Sequence, residues 1–418
     1  MLNRHNKLLS NGFFVVFLYK NSDQVYKRKT FEALEAHLPK KQVTAITGMR
    51  RVGKTTAVKY LLGQVEHRNK LYLDLERIEY RHLFNQPSYA DIERGLAQLG
   101  IDFSAPAVIA LDEIQLVKNI PSVIKSLYDT YGVKFIVTGS SSFYLKNHFS
   151  ESLAGRKKIF EMWPLDFQEF LVFREAYTPH IELEKNRDFL RTFYGLYSGL
   201  YEEFIRYGGF PEVVLADSTS DREDFLSDII NSHIELDIKL LSDFEMTDSL
   251  YKLMLLMAGR AGSKIDFSKI ASIIGLNRHK VKDYLLLLEH TYFIRLIKPL
   301  AKGIDKELTS QPKAYFSDTG VLNKLGKGLS GGQVFENAIA NQLARLGKLN
   351  YFEKSKSWEI DFVLDETVAY EVKETPAPHH LNTLKYNAES IGLSSFHLVG
   401  RYPGGSGFHD FIWGGNVF

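Results

Sequence analysis

The stretch Gly48-Met49-Arg50-Arg51-Val52-Gly53-Lys54-Thr55-Thr56 follows the pattern G-x-x-x-x-G-K-[ST]. Its chemistry is that of a phosphate cradle. The two glycines let the backbone turn so that its N–H groups point inward around an anion, and a helix starting there adds the positive end of its dipole. Gly48, Arg51, Val52, Gly53, Lys54, Thr55 and Thr56 would line a nucleotide. Lys54 would reach the terminal phosphates, and the Thr55 hydroxyl would ligate Mg²⁺, a hard cation that prefers oxygen. ATP and Mg²⁺ are the expected cofactors, and phosphoryl transfer to water the expected reaction.

Hydrolysis also needs carboxylates, and Val108-Ile109-Ala110-Leu111-Asp112-Glu113 is an apolar strand that delivers two at its C-terminal end. In parallel sheets that is where ligands lie. Asp112 would hold the metal through its water shell, and Glu113 would orient and deprotonate the attacking water. The run Phe135-Ile136-Val137-Thr138 ends in Gly139-Ser140-Ser141-Ser142, so Ser140 reads either as a γ-phosphate sensor or as a helix cap. Arg156 reads either as an arginine acting across an interface between two copies or as a surface residue.

Two further sets carry chemistry of other kinds. Asp266 and Asn277 are placed to cap successive helices, so Phe267 to His290 reads as a helix-turn-helix. Arg278, His279, Lys280 and Lys282 cluster in the first turns of its second helix, where they would meet phosphates or base edges of DNA. Val281, Tyr284, Leu285 and Leu288 form its core stripe. Phe293 to Lys298 reads as the strand of a wing, and such a module serves DNA or protein partners. Nearer the C-terminus, Glu336 falls on a helix, Asp361 in a strand and Glu371-Val372-Lys373 in the next strand. Alternation puts Glu371 and Lys373 on one face. Asp361, Glu371 and Glu336 sharing Mg²⁺, with Lys373 stabilising developing charge, would suit attack on a phosphodiester. Glu-x-Lys on an exposed strand is also an ordinary charge pair. Lys354, Lys356 and Trp358 suit either backbone and base contact or a solvated loop.

The elements that must position these residues begin with a helix at 31–38. Strands are predicted at 42–47, 70–75, 108–112, 134–138 and 158–162, alternating with helix-like sequence, which implies a parallel sheet. Residues 164–238 read as helical, broken at Gly208-Gly209-Phe210-Pro211. Helices follow at 247–258, 267–274, 277–290 and 334–346, then strands at 350–352, 359–364 and 368–373. Gly404 to Gly415 reads as an irregular closing segment. The 418 residues thus divide into an N-terminal segment (1–30), a P-loop ATPase core (31–163), a helical extension or lid (164–240), a winged helix (241–325) and a small α/β domain (326–418). With 44% apolar and 24% charged residues the chain can bury substantial cores. A net charge of +2 gives no global field to attract a polyanion, so nucleic-acid binding must rest on local patches. The absence of cysteine excludes disulfides, zinc fingers, iron-sulfur clusters and thiol nucleophiles, and points to a reducing cytoplasm. The apolar run Gly12 to Tyr19 falls short of the roughly 20 residues needed to span a bilayer and reads as a packing strand, so no membrane partner is expected.

Taken together, Gly48 to Thr56, Leu111-Asp112-Glu113-Ile114-Gln115, Thr138-Gly139-Ser140-Ser141, Ala154-Gly155-Arg156 and Gly208-Gly209-Phe210-Pro211-Glu212 resemble a large prokaryotic family of AAA-type (AAA+ superfamily) P-loop ATPases. The resemblance spans nearly the whole chain but leaves out residues 1–25. It implies an α/β fold class: a P-loop NTPase parallel sheet with a helical extension, followed by a winged helix and a small α/β restriction-endonuclease-like domain of unassigned function. Glu336, Asp361, Glu371 and Lys373 are similar to the signature of that last domain, Asp followed by Glu-x-Lys. The resemblance transfers no substrate. Two classes of function follow: an ATP-driven switch or motor on DNA, with a Mg²⁺-dependent nuclease as a special case, or a signalling or scaffolding ATPase whose winged helix and inactive tail bind protein. Arg156 points to a homo-oligomer.

Overall fold

A computed structural model describes residues 25–140, 153, 155–177, 189–238, 247–300, 310–355 and 358–417. The expectations placed on Gly12 to Tyr19, Ser141, Ser142, Ala154 and Lys356 lie outside the described residues.

Short apolar runs separated by helices give five strands: β1 (Val43–Thr47), β2 (Lys70–Asp74), β3 (Val108–Asp112), β4 (Lys134–Gly139) and β5 (Lys157–Glu161). They form one sheet in the order β2-β3-β4-β1-β5, and every neighbouring pair is parallel. All five residues of β1 and of β3 are buried, as expected of a sheet covered on both faces. Helices α1 (Lys29–His37), α2 (Lys54–Gly63), α3 (Ile78–Phe84), α4 (Tyr89–Gln98) and α5 (Ile120–Tyr131) provide the cover. Because β4 lies between β1 and β3, its C-terminal end emerges between the glycine-rich loop that follows β1 and the carboxylates that end β3.

Beyond β5 the chain turns helical, with α6 (Phe167–Phe173), α7 (Arg191–Tyr207), α8 (Pro211–Leu215) and α9 (Thr219–Ser232). The break between α7 and α8 requires glycine for two reasons. Gly208 has φ 78°, and a Cβ on Gly209 would stand 2.3 Å from the Leu165 carbonyl oxygen. Leu165 N–H donates to the Gly209 carbonyl at 2.6 Å, and Gly209 N–H donates to Asp318 at 2.7 Å, which fixes the turn between two regions of the chain.

The second half contains α10 (Thr247–Ala258), α11 (Phe267–Ile274), α12 (Arg278–His290), β6 (Ile294–Pro299), β7 (Lys313–Phe316), α13 (Thr319–Leu325), α14 (Gly331–Leu343), β8 (Leu349–Ser355), β9 (Trp358–Leu364), β10 (Val368–Lys373), α15 (Pro378–Ser390), β11 (Ser395–Gly400) and β12 (Ile412–Trp413). β6 and β7 pair antiparallel, and β6 also pairs parallel with β8, so seven strands join in the order β12-β11-β10-β9-β8-β6-β7. The sheet therefore runs across the division expected at residues 325 and 326. The strand anticipated as a wing is part of the C-terminal sheet, because its second edge finds a hydrogen-bonding partner in β8.

The glycine-rich tail is more ordered than expected. It contributes β12, and Trp413 is only 1% exposed, with the rings of Phe167, Tyr194 and Tyr201 edge-on around it. These contacts belong to a core that joins the aromatic faces of α6 and α7 to Phe335, Tyr370 and Phe411 of the C-terminal region. The helical extension is thus seated on the C-terminal sheet. Among the described residues no helix is long and apolar enough to cross a membrane.

Candidate functional site

The loop between β1 and α2 is built as its glycines require. Gly53 stands at the N-terminus of α2 with φ 99°, and Gly48 has φ 148°. A Cβ on Gly48 would lie 2.0 Å from the Met162 carbonyl oxygen, so this loop passes directly over the end of β5. Arg51 also has positive φ, 63°, which is costly for a side-chain-bearing residue and keeps the loop curled. Lys54 is buried, and its ammonium donates to the Gly48 and Met49 carbonyls, both at 2.9 Å. Arg51 reaches outward to Glu212 at 3.1 Å and Asp228 at 3.8 Å, linking the loop to α8 and α9. Val52 is buried, and the Thr56 side chain is exposed on α2.

Thr55 Oγ1 donates to Asp112 Oδ2 at 2.6 Å, which brings the loop and the end of β3 together. Asp112 also accepts from Tyr72 OH at 2.8 Å and from the buried Thr138 hydroxyl. Thr138 Oγ1 in turn accepts the Glu113 N–H at 3.0 Å, so one hydroxyl near the end of β4 meets the Asp112 carboxylate and the Glu113 backbone. Glu113 adopts a left-handed conformation with φ 55° and is buried. Burial raises its pKa above the ordinary carboxylate value, against the opposing pull of Lys54 and Arg50. Arg50 NH2 lies 4.0 Å from Glu113 Oε2, and Arg50 NH1 bonds Glu76 at 3.0 Å. Gln115 Nε2 donates to Glu113 and, at 3.0 Å, to Ser140 Oγ, which is buried at the end of β4. An oxygen donor pair, Thr55 and Asp112, beside a positively curled loop fits a triphosphate with a hard divalent cation.

Lys54, Thr55, Asp112, Glu113 and Ser140 therefore meet in one place. Arg156 does not join them. Its carbonyl accepts from Val43 N–H at 2.8 Å at the start of β1, and its side chain pairs with Asp129 at 3.2 Å. The loop lies at the other end of β1, about 13 Å away at ~3.3 Å per residue. Thr138, Tyr72, Gln115 and Arg50 were missed from the sequence. Thr138 and Gln115 sit within the motif stretches already singled out, so a signal existed. The role of Tyr72 depends on β2 lying beside β3, which no local pattern reveals.

On the helix-turn-helix, Asp266 accepts from Lys269 N–H at 3.0 Å and Asn277 from Lys280 N–H at 2.8 Å, capping α11 and α12. Val281, Tyr284, Leu285 and Leu288 are buried. Arg278, His279 and Lys282 are exposed and Lys280 is partly so. The ammonium groups of Lys280 and Lys282 lie over Tyr284 and Phe267, at 5.3 and 5.4 Å from the ring centroids.

The C-terminal carboxylates are arranged differently from the expected metal site. The β9–β10 ladder pairs residues up to Tyr370 with Phe362. Beyond it, Asp361 Oδ2 accepts the Val372 N–H at 2.8 Å. Lys373 reaches back to Glu371 at 2.6 Å and lies 3.7 Å from Asp361. Glu336 accepts from Tyr315 OH at 2.6 Å, and Lys313 binds Glu359 at 2.7 Å. Burial and the neighbouring Asp361 charge push Glu336 and Glu371 each up to about 7. Among the described residues no three His, Asp or Glu side chains group so as to hold a metal ion. Lys373 thus stands between two of the three acids expected to share a metal. Lys354 lies 5.0 Å over the Trp358 ring.

Residues 40–171 match the family model of an AAA domain, and residues 198–331 match a domain of unknown function, DUF8612. The second match runs across the division expected at residues 240 and 241. An uncharacterized protein of Haemophilus influenzae is 28% identical over 370 residues, 84% of this chain and 88% of its own length. One from Methanocaldococcus jannaschii is 24% identical over 383 residues, covering 87% and 83%. Among solved structures, the Aeropyrum pernix Orc1 protein in complex with DNA aligns at TM-score 0.33 and 13% identity over 73% of this chain and 93% of that one. The Thermotoga maritima RuvB Holliday junction branch migration motor aligns at TM-score 0.32 and 16% identity over 66% and 92%. The match to the AAA domain covers the loop, both carboxylates and Ser140, and so takes in the whole candidate site.

Proposed function

We propose that this chain hydrolyses ATP with Mg²⁺ and uses the nucleotide state to reposition a winged helix on DNA. The observation that carries the reading is Glu113, a buried carboxylate next to Asp112 whose backbone N–H is held by Thr138 and which faces the Lys54 loop. A raised pKa makes Glu113 a better base toward water at neutral pH than an ordinary carboxylate. ATP would be held by the loop N–H groups and Lys54, and Mg²⁺ by Thr55 and Asp112, where it would neutralise phosphate charge. Gln115 links Glu113 to Ser140, so a γ-phosphate sensed at Ser140 would be felt at the base. Arg156, at the far end of β1, is proposed to act only on the site of a neighbouring copy. Arg278, His279, Lys280 and Lys282 are proposed to meet DNA phosphates. ATP turnover measured with and without duplex, single-stranded and branched DNA at two salt concentrations tests this. Stimulation by one DNA form that fades with salt is expected, and indifference to every form would contradict the DNA part.

A second reading, an ATPase scaffold whose C-terminal region binds protein, is favoured by the lysines among the carboxylates of that region. It predicts ATP-dependent oligomerisation without DNA binding. Mg²⁺-dependent DNA cutting abolished by Asp361→Ala would contradict it and restore the nuclease.

A further inference from the structure

Residue 28 lies in the segment that the recognised motifs leave aside, yet its guanidinium is the most elaborately bonded group next to the nucleotide loop. Arg28 is 5% exposed. Its NH1 donates to the Val52 carbonyl, inside the loop, at 2.9 Å. Its Nε and NH2 fork onto the two oxygens of Glu169 at 2.9 and 3.0 Å, and NH2 also donates to the Trp163 carbonyl at 2.8 Å. A buried guanidinium is tolerated only when its donors are matched in this way, and its planar fork cannot be replaced by the point charge of lysine. A loop that turns N–H groups inward toward an anion turns carbonyls outward, and each of those needs a donor. Arg28 supplies the donor for Val52.

Glu169 extends the chain of contacts. It accepts the Lys29 N–H at 2.9 Å and the Asp166 N–H at 3.1 Å, completing a capping box at the start of α6. On its other side lies Arg345, just after α14, whose NH1 is 3.6 Å from Glu169 Oε2 and 3.6 Å from Asp166 Oδ2. The same guanidinium donates to the Pro164 carbonyl. One buried carboxylate therefore stands between an arginine that holds the nucleotide loop and an arginine anchored in the C-terminal region.

We propose that Arg28 is a positioning residue for the nucleotide loop, and that Glu169, shared with Arg345, couples the conformation of that loop to the C-terminal region. This rests on the ATP reading above. The test uses the full chain. KM and kcat for ATP, and melting temperature with and without ATP, are measured for wild type, Arg28→Lys, Arg28→Gln and Arg345→Lys. Arg28→Lys keeps a charge against Glu169 and loses the fork. It is expected to raise KM about tenfold, with a smaller change in kcat and a reduced ATP-induced rise in melting temperature. Arg345→Lys touches no loop atom and is expected to raise KM about threefold through Glu169. Should Arg28→Gln fail to fold, Arg28→Lys still decides the matter. Wild-type KM in Arg28→Lys, with only the melting temperature lowered, would overturn the positioning role. Wild-type KM in Arg345→Lys would overturn the coupling. Absence of ATP binding and turnover in the wild type would overturn the ATP reading itself, an outcome separate from both.

Discussion

The nucleotide site and the C-terminal carboxylate cluster use the same kinds of residue, two or more acids on or next to the inner strands of a sheet beside a lysine, and arrive at opposite electrostatics. At the first, the Asp112 carboxylate is met by neutral hydroxyl donors from Thr55, Tyr72 and Thr138, while Lys54 turns to the loop carbonyls. At the second, the lysines themselves answer the acids, Lys373 on Glu371 and Lys313 on Glu359. A carboxylate held by hydroxyls keeps its negative charge available to a cation. A carboxylate bonded to a lysine is already partly neutralised. The identity of the donor, more than the presence of acid and lysine, separates the two clusters.

The largest expected effect comes from breaking the first site. Lys54→Ala should abolish measurable turnover and weaken ATP binding by at least about 10²-fold, read by nucleotide titration and phosphate release. The same assay on Lys373→Ala should be unchanged, since that lysine closes a cluster elsewhere. Next in size is Thr138→Val. It removes the hydroxyl that meets the Asp112 carboxylate and the Glu113 backbone, so turnover should fall about tenfold or more with ATP binding largely kept.

Smaller effects sharpen the second half of the comparison. Asp361→Ala leaves the Val372 N–H without its acceptor and takes one of two neighbouring carboxylates from Lys373, so urea unfolding should show a loss of about 1–3 kcal/mol. The pH dependence has a definite sign. Glu336 is raised from 4.5 to about 7, so its folded form prefers the proton. The associated stability is complete below pH 4.5 and is lost as the pH rises through 7. Glu336→Gln should therefore melt a few degrees higher than wild type at pH 8, by roughly the shift that 1 kcal/mol produces, and this advantage should disappear at pH 5. The smallest effect is expected on the exposed helix face. Lys282→Ala should reduce the slope of DNA affinity against salt by about one unit, as loss of a single phosphate contact does.

Much of the first site was legible because its chemistry is local. The spacing of Gly48, Gly53 and Lys54 and the apolar run ending in Asp112-Glu113 each carry their meaning within a few residues. Strand order is not local. That β4 separates β1 from β3 is what makes Thr138 the organiser of both acids, and nothing in Phe135 to Gly139 announces it. The helices at 247–258 and 267–274 were equally readable, from caps and apolar periodicity. The C-terminal cluster was less legible for the complementary reason. Glu371 and Lys373 share a face as alternation requires, but alternation cannot say whether the lysine turns toward a substrate or back onto the acid beside it. Trp413 in its glycine-rich setting reads as loose from composition alone. Only the aromatic faces of α6 and α7, more than 200 residues earlier, give it a place to be buried.

Glu113 is proposed as the base in ATP hydrolysis. Steady-state phosphate release at saturating ATP and Mg²⁺, with equilibrium ATP binding measured on the same preparations, compares wild type with Glu113→Gln most directly. Turnover in the wild type, a fall of about 10²- to 10⁴-fold in the variant and ATP affinity within a few-fold of normal are expected. Undiminished phosphate release by Glu113→Gln, or no release by a wild type that binds ATP, would contradict it.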